Sequence, residues 1–246
     1  YNFGHTIEKV ALLPESEDVL STGMYLSTLG LTGGRKATWG EIGLLAREEG
    51  EAWGHFNPDL QEYSNISGCQ LYYTPQKYWP EHALKKYFGN KKIFGMLRDP
   101  YERLVAFFRG NVKGYGGEYP EFYKTCDVNG AVKMMMKRHI ASGNKFEQGC
   151  TFLPQAEFFE GPYGIQIPVD TRKFPATMNA LFQQHGYEER LVKAKDILHV
   201  SGCSEVWAGD LDAETRSLVQ QVYKQDFELL CRYFGYCDPN ENTCIS

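Results

Sequence analysis

Leu97-Arg98-Asp99-Pro100-Tyr101-Glu102-Arg103 is the stretch whose residue types and spacing best suit chemistry. Arg98 stands between an apolar run, Ile93-Phe94-Gly95-Met96-Leu97, and residues that open a helix. A guanidinium in that place can take a phosphate through two parallel hydrogen bonds. The helix N-terminus adds free N–H groups and a partial positive charge. Arg103 and Arg109 follow on the same helix. A second reading stands beside this one: Arg98 pairs with Asp99 or Glu102 at a sheet edge and binds nothing.

Parallel α/β sheets take their ligands beyond the carboxyl ends of the strands, so the flanking elements decide what Arg98 can do. The run at 93–97 is continuously apolar, which suits a strand covered on both faces. Asp99 is placed as N-cap, Pro100 as first helical residue and Glu102 as the third, a capping-box pattern. Leu104, Val105 and Phe108 supply the buried stripe. Glu81 to Phe88 reads as a helix ended by Gly89-Asn90.

Upstream, Val10-Ala11-Leu12-Leu13 reads as a buried strand, 16–29 as a helix capped by Ser16, and Trp39 to Glu51 as another. Thr32-Gly33-Gly34 is a turn. Residues 52–80 read as loops with one strand around Gln70 to Tyr73. Downstream, 129–142 and 174–185 read as helices and Asp196 to Val200 as a strand. A final helix runs from Asp212 to Phe234 and is stopped by Gly235. Met134-Met135-Met136 reads as core packing. The pattern predicts one α/β domain over 1–246, a central parallel sheet flanked by helices, with a tail at 237–246.

Length and composition set the outer limits. A chain of 246 residues can bury a sizeable core. Aromatics at 14% and charged groups at 23% argue for a packed globule. The net charge of −5 gives no basic face for nucleic acid. No apolar run approaches the ~18–20 residues of a membrane span. The chain begins at Tyr1, which suggests a processed or truncated product and leaves room for an anchor upstream. Seven cysteines include no C-x-x-C pair, so no metal site is expected. Buried thiols and disulfides, the latter among the last three cysteines, both fit. Asn65-Ile66-Ser67 is an N-glycosylation sequon and hints at the secretory route.

Leu97-Arg98-Asp99-Pro100-Tyr101-Glu102-Arg103-Leu104-Val105 closely resembles the 3′-phosphate-binding segment of the sulfotransferases, particularly the carbohydrate-type group. Pro154-Gln155 looks like the Pro-Gln segment that follows in that family. Tyr223, Asp226-Phe227 and Phe234-Gly235-Tyr236 resemble its closing helix. The resemblance spans roughly residues 10–236 and implies a P-loop-like sulfotransferase fold. It implies sulfuryl transfer from PAPS to a hydroxyl of a carbohydrate or small acceptor, with no metal. A location in the secretory pathway, down to the Golgi lumen, goes with it. Secreted members often carry a disulfide near the Pro-Gln segment, which implies a Cys126–Cys150 bridge.

The resemblance also shows departures. The family's first strand runs into Pro-Lys, small residues and Ser/Thr, which hold the 5′-phosphosulfate. Here Glu15 replaces the Lys, Glu17 and Asp18 fill small-residue positions, and Val19 follows. The family's Ser eight positions after the Arg is Ala106. A carboxylate about 4 Å from a phosphate charge is repelled by about 4 kcal/mol at an effective dielectric near ~20. Alternatively Arg35, Lys36 and Thr38, in Thr32-Gly33-Gly34-Arg35-Lys36-Ala37-Thr38, form the phosphosulfate loop, with Lys36 as the catalytic cation. A solvated basic turn is the plainer reading of that loop. His55 and His82 remain as candidates for the base by elimination. The competing expectation is a sulfotransferase-fold protein that has lost PAPS binding and serves a protein partner through an aromatic patch within Trp53 to Trp79.

Overall fold

Capping residues and apolar stripes account for most of the elements in the computed structural model, which describes residues 58–111, 120–194, 197 and 202–240. The expected strand at 10–13, the helices at 16–29 and 39–51 and the turn at 32–34 lie outside that range, as does nearly all of 196–200. Ile197, the one described residue of that last segment, is not in a strand.

Helix α1 (Glu81–Tyr87) ends at Phe88, and Gly89, at φ +44°, donates its N–H to the Leu84 carbonyl. Strand β1 (Phe94–Leu97) leads through Arg98 and Asp99 into α2 (Pro100–Asn111). Asp99 Oδ1 accepts from the N–H groups of Tyr101 (2.8 Å) and Glu102 (3.2 Å), as the N-cap position requires. Helix α3 (Pro120–Thr125) was not expected; it has only six residues, too few for a clear apolar stripe. Helix α4 (Val128–Ser142) is capped by Asp127, which accepts from Gly130 N, and closed by Gly143 in the left-handed region.

Strand β2 (Ile167–Asp170) pairs parallel with β1, register Phe94↔Ile167 through Leu97↔Asp170. Proline at 168 hid this strand from the sequence pattern. Proline has no N–H for a ladder, yet it is tolerated at a sheet edge. Here Pro168 stands opposite Gly95. Helix α5 (Ala176–Gln184) follows a cis Phe174–Pro175 bond. Helix α6 (Ala213–Phe234) starts with Asp212 capping Thr215 N and stops at left-handed Gly235. The expected strand at 70–73 is instead a single antiparallel bridge, Tyr63↔Gln70, followed by a 3-10 turn at Leu71–Tyr73.

The main core lies among α2, α4 and α6. Tyr101, Leu104, Val105 and Phe108 of α2 meet Ala131, Val132, Met135 and Met136 of α4, and Val219 and Tyr223 of α6. Each such large side chain contributes about 1.5–3 kcal/mol on leaving water. Met135 and Met136 are buried as read, whereas Met134 is exposed. A smaller cluster joins α1 to Ile93 and Ile165, at the amino ends of the strands. The described residues are therefore α/β: a two-stranded parallel sheet with helices around it.

Three disulfides link Cys69–Cys150, Cys126–Cys203 and Cys231–Cys237. The Cys126–Cys150 pairing is thus corrected. Cys126, just before α4, faces Cys203, while Cys150, beyond α4, reaches back to Cys69. All six of these cysteines are bridged: Cys69, Cys150 and Cys203 are buried, Cys126 and Cys231 half-buried and Cys237 exposed. Of the last three, Cys231 pairs with Cys237, and Cys244 is outside the described residues.

Candidate functional site at the strand tips

Beyond Leu97 and Asp170 the two strands diverge into α2 and into a 3-10 turn, Thr171–Lys173. Arg98 sits at this point, and its main chain is held from both sides. Its N–H donates to Gln155 Oε1 (3.0 Å), and its carbonyl accepts from Gln155 Nε2 (2.7 Å). Gln155 is in turn fixed by Asp226 of α6. Asp226 Oδ2 accepts from Gln155 N (2.9 Å) and Nε2 (3.2 Å), and Oδ1 accepts from Ala156 N (2.8 Å). Asp226 is fully buried, and burial raises its pKa. The nearby Arg103 charge and the N–H groups of Ala156 and Gln155 oppose that rise.

The guanidinium of Arg98 approaches Glu102, with Nε 3.5 Å from Oε2. A second guanidinium comes from the β2 side. Arg172 Nη2 donates to Asp99 Oδ2 at 3.2 Å, and its Nε lies 3.8 Å from Glu102 Oε1. The Arg172 group also stacks 4.0 Å from the ring centre of Tyr236. The Tyr236 hydroxyl donates to Asp170 Oδ2 at 2.7 Å. Thr171 Oγ1 donates to the Leu97 carbonyl, which ties the two strand ends together.

Two guanidiniums and two carboxylates thus share the mouth of α2. Both arginine side chains are mostly covered, at 17% and 16% exposure. Asp99 is buried, and its carboxyl is pushed up to about 6. Burial is the larger cause and the Glu102 charge the next; the helix N–H groups and Arg172 offset them only in part. The site can hold an anion by exchanging carboxylate contacts of Arg98 and Arg172 for ligand oxygens. Such an exchange favours planar, two-pronged donors.

The sequence reading is realised in part. Arg98 stands at the strand tip, and it makes the carboxylate contact that was the alternative. Arg103 and Arg109 do not join it. Arg103 donates to the carbonyls of Leu153 (2.9 Å) and Thr151 (3.0 Å), and Arg109 to that of Gly202 (3.3 Å). Ala106 is half-buried on α2, two turns along from Arg98, and offers no hydroxyl. His82 is exposed near the start of α1, whose cluster lies at the opposite end of the strands. It is therefore not placed beside Arg98. Glu15, Val19, Arg35, Lys36, Thr38 and His55 lie outside the described residues. Asp170 and Arg172 were missed because β2 was missed; an acid and a base directly after an apolar run were the available signal. Among the described residues no group of three His, Cys, Asp or Glu side chains is placed to hold a metal ion.

Beside β2 lies an open recess of about 300 Å³, lined in part by Ile167, Val169, Asp170, Lys173, Thr177 and Phe234. No described helix is long and apolar enough to cross a membrane. Three disulfides point to an oxidising, secretory environment. Comparison with known proteins gives no matching family model, no matching curated protein and no matching solved structure.

Proposed function

We propose that this chain is a P-loop-like sulfotransferase domain of the secretory pathway, working in the Golgi lumen on a carbohydrate or small hydroxylated acceptor. One observation carries the reading. The three separate segments that resemble the family, around Arg98, Pro154-Gln155 and Asp226, meet in one buried hydrogen-bond network at the tips of parallel strands.

In this reading Arg98 and Arg172 hold the 3′-phosphate of PAPS at the mouth of α2, where the helix end favours negative charge. Bound PAPS supplies the sulfuryl group. Transfer forms a bond from the acceptor oxygen to sulfur, breaks the bond from sulfur to the 5′-phosphate oxygen, and releases the acceptor proton to a base. Lys36 is the candidate cation for the leaving oxygen, and His55 and His82 are the candidate bases. Gln155 and Asp226 are positioning residues; they fix the backbone from which Arg98 projects.

Thermal denaturation with PAP, the product nucleotide, tests the donor site. Ligand at about 100 times its dissociation constant stabilises by about 2.7 kcal/mol. Arg98→Ala and Arg172→Ala are each expected to abolish that gain. No stabilisation by millimolar PAP would sink the reading, and transfer of labelled sulfate from PAPS then decides activity.

A second reading has its own support: a sulfotransferase-fold protein without donor binding that serves a protein partner. Glu102 contacts both guanidiniums, Ala106 lacks the hydroxyl, and Tyr63, Ile66 and Tyr73 are exposed at 67%, 63% and 53%. Absence of PAP binding together with a stable complex through those side chains would favour it.

A further inference from the structure

We propose that Asn65 is an N-glycosylation site, occupied by an oligosaccharide in the mature protein. The inference is independent of the sulfuryl-transfer reading. Asn65-Ile66-Ser67 is the single Asn-x-Ser/Thr triplet in the sequence whose middle residue is not proline. Three observations of the fold turn that triplet into a site.

Asn65 is exposed at the tip of a tight loop joining Tyr63 to Gln70. The loop is closed by its own main chain: Ser64 N donates to the Cys69 carbonyl and Gly68 N to the Ser64 carbonyl, both at 2.8 Å. Ser64 Oγ accepts from the N–H groups of Ile66 and Ser67, both at 3.2 Å, and donates to the Tyr78 carbonyl at 2.7 Å. The tip is therefore presented outward by a rigid base, and a glycan there displaces no packed group. The loop runs directly into Cys69, which is bridged to Cys150. That bridge and the two others fit an oxidising environment, which the compartment where N-glycans are added provides. Finally, Tyr63 and Ile66, on either side of Asn65, are both exposed, and a sugar at the tip would cover this apolar surface.

The modification joins Asn65 Nδ2 to C1 of the first N-acetylglucosamine of a lipid-diphosphate-linked oligosaccharide. The bond from C1 to the diphosphate oxygen breaks, the lipid diphosphate leaves, and Nδ2 gives up one proton. Ser67 is buried in the fold, where its hydroxyl contacts Thr74 Oγ1 and accepts from Cys69 N, both at 3.2 Å. The triplet is thus open to the transferase only before the loop closes, so attachment precedes formation of the Cys69–Cys150 loop.

The chain, secreted from a eukaryotic host, is digested with peptide:N-glycosidase F and mapped by mass spectrometry. The expected result is loss of one glycan, with aspartate left at position 65. Asn65→Gln removes the glycan and leaves the thermal midpoint of the deglycosylated protein unchanged. Ser67→Thr keeps the glycan, because threonine preserves the triplet. Unmodified asparagine at 65 in the secreted protein overturns the proposal, as does a glycan that persists in Asn65→Gln.

Discussion

At the scale of single residues, Asp226 has the largest structural task. It accepts three hydrogen bonds from Gln155 and Ala156 in a fully buried place. Truncation would leave those donors unsatisfied and the Arg103 charge uncompensated. Asp226→Ala is expected to cost about 3–5 kcal/mol in urea denaturation. Tyr223 offers the opposite case. Its hydroxyl is buried, with no hydrogen-bond partner among the described residues, and burial raises its pKa. Tyr223→Phe is expected to keep or raise stability, by up to about 1 kcal/mol, because it removes an unsatisfied group. Asp99 makes the site sensitive to pH. Its carboxyl binds a proton more tightly in the fold, near 6, than in the unfolded chain, near 3.8. The native state therefore has its advantage below about pH 4 and loses it as pH rises through 6. The change amounts to about 3 kcal/mol. Thermal midpoints of wild type and Asp99→Asn, compared across that range, should diverge, with wild type losing more as pH rises; parallel curves would disprove the assignment.

At the scale of elements, the closest fit is where β1 passes the segment before β2. A Cβ built on Gly95 would lie 2.2, 2.8 and 3.3 Å from three side-chain carbons of Ile165. Ile165 is half-buried and packs against the cluster that anchors α1, so moving it aside gives up part of that packing. Gly95→Ala is expected to cost about 1–3 kcal/mol, measured by chemical denaturation. The start of α2 was legible because its cap is local: Asp99 accepts from the N–H groups two and three residues ahead, and Asp127 and Asp212, which the reading did not single out, do the same for α4 and α6 with the N–H three residues ahead. Strand β2 was not, because Pro168 breaks the local strand pattern and only its parallel partner reveals it.

At the scale of the whole molecule, two disulfides tie distant parts of the chain. Cys69–Cys150 and Cys126–Cys203 span 81 and 77 residues, whereas Cys231–Cys237 spans 6. On the chain-entropy account the long bridges each contribute about 4–5 kcal/mol and the short one about 2. Replacing both members of the Cys126–Cys203 pair with alanine should therefore lower stability more than the same change at Cys231 and Cys237. Equal losses, read from urea midpoints, would show that loop length does not govern their effect. The long bridges pin the α3–α4 junction and the loop after α4, framing the core from which α2 presents Arg98.

The sequence alone determined what depends on neighbours along the chain: the strand-to-helix turn at Arg98, the capped helices, their apolar faces and the α/β character. Tertiary structure decided what depends on residues far apart in sequence. It set the partners of the cysteines, the arrival of Arg172 from the turn after an unforeseen strand, and the placing of Arg103, Arg109 and His82 away from the strand tips. The physical reason is one of range. Capping and periodicity act within one or two turns, whereas pairing of buried charges and thiols depends on which segments the packed core brings together.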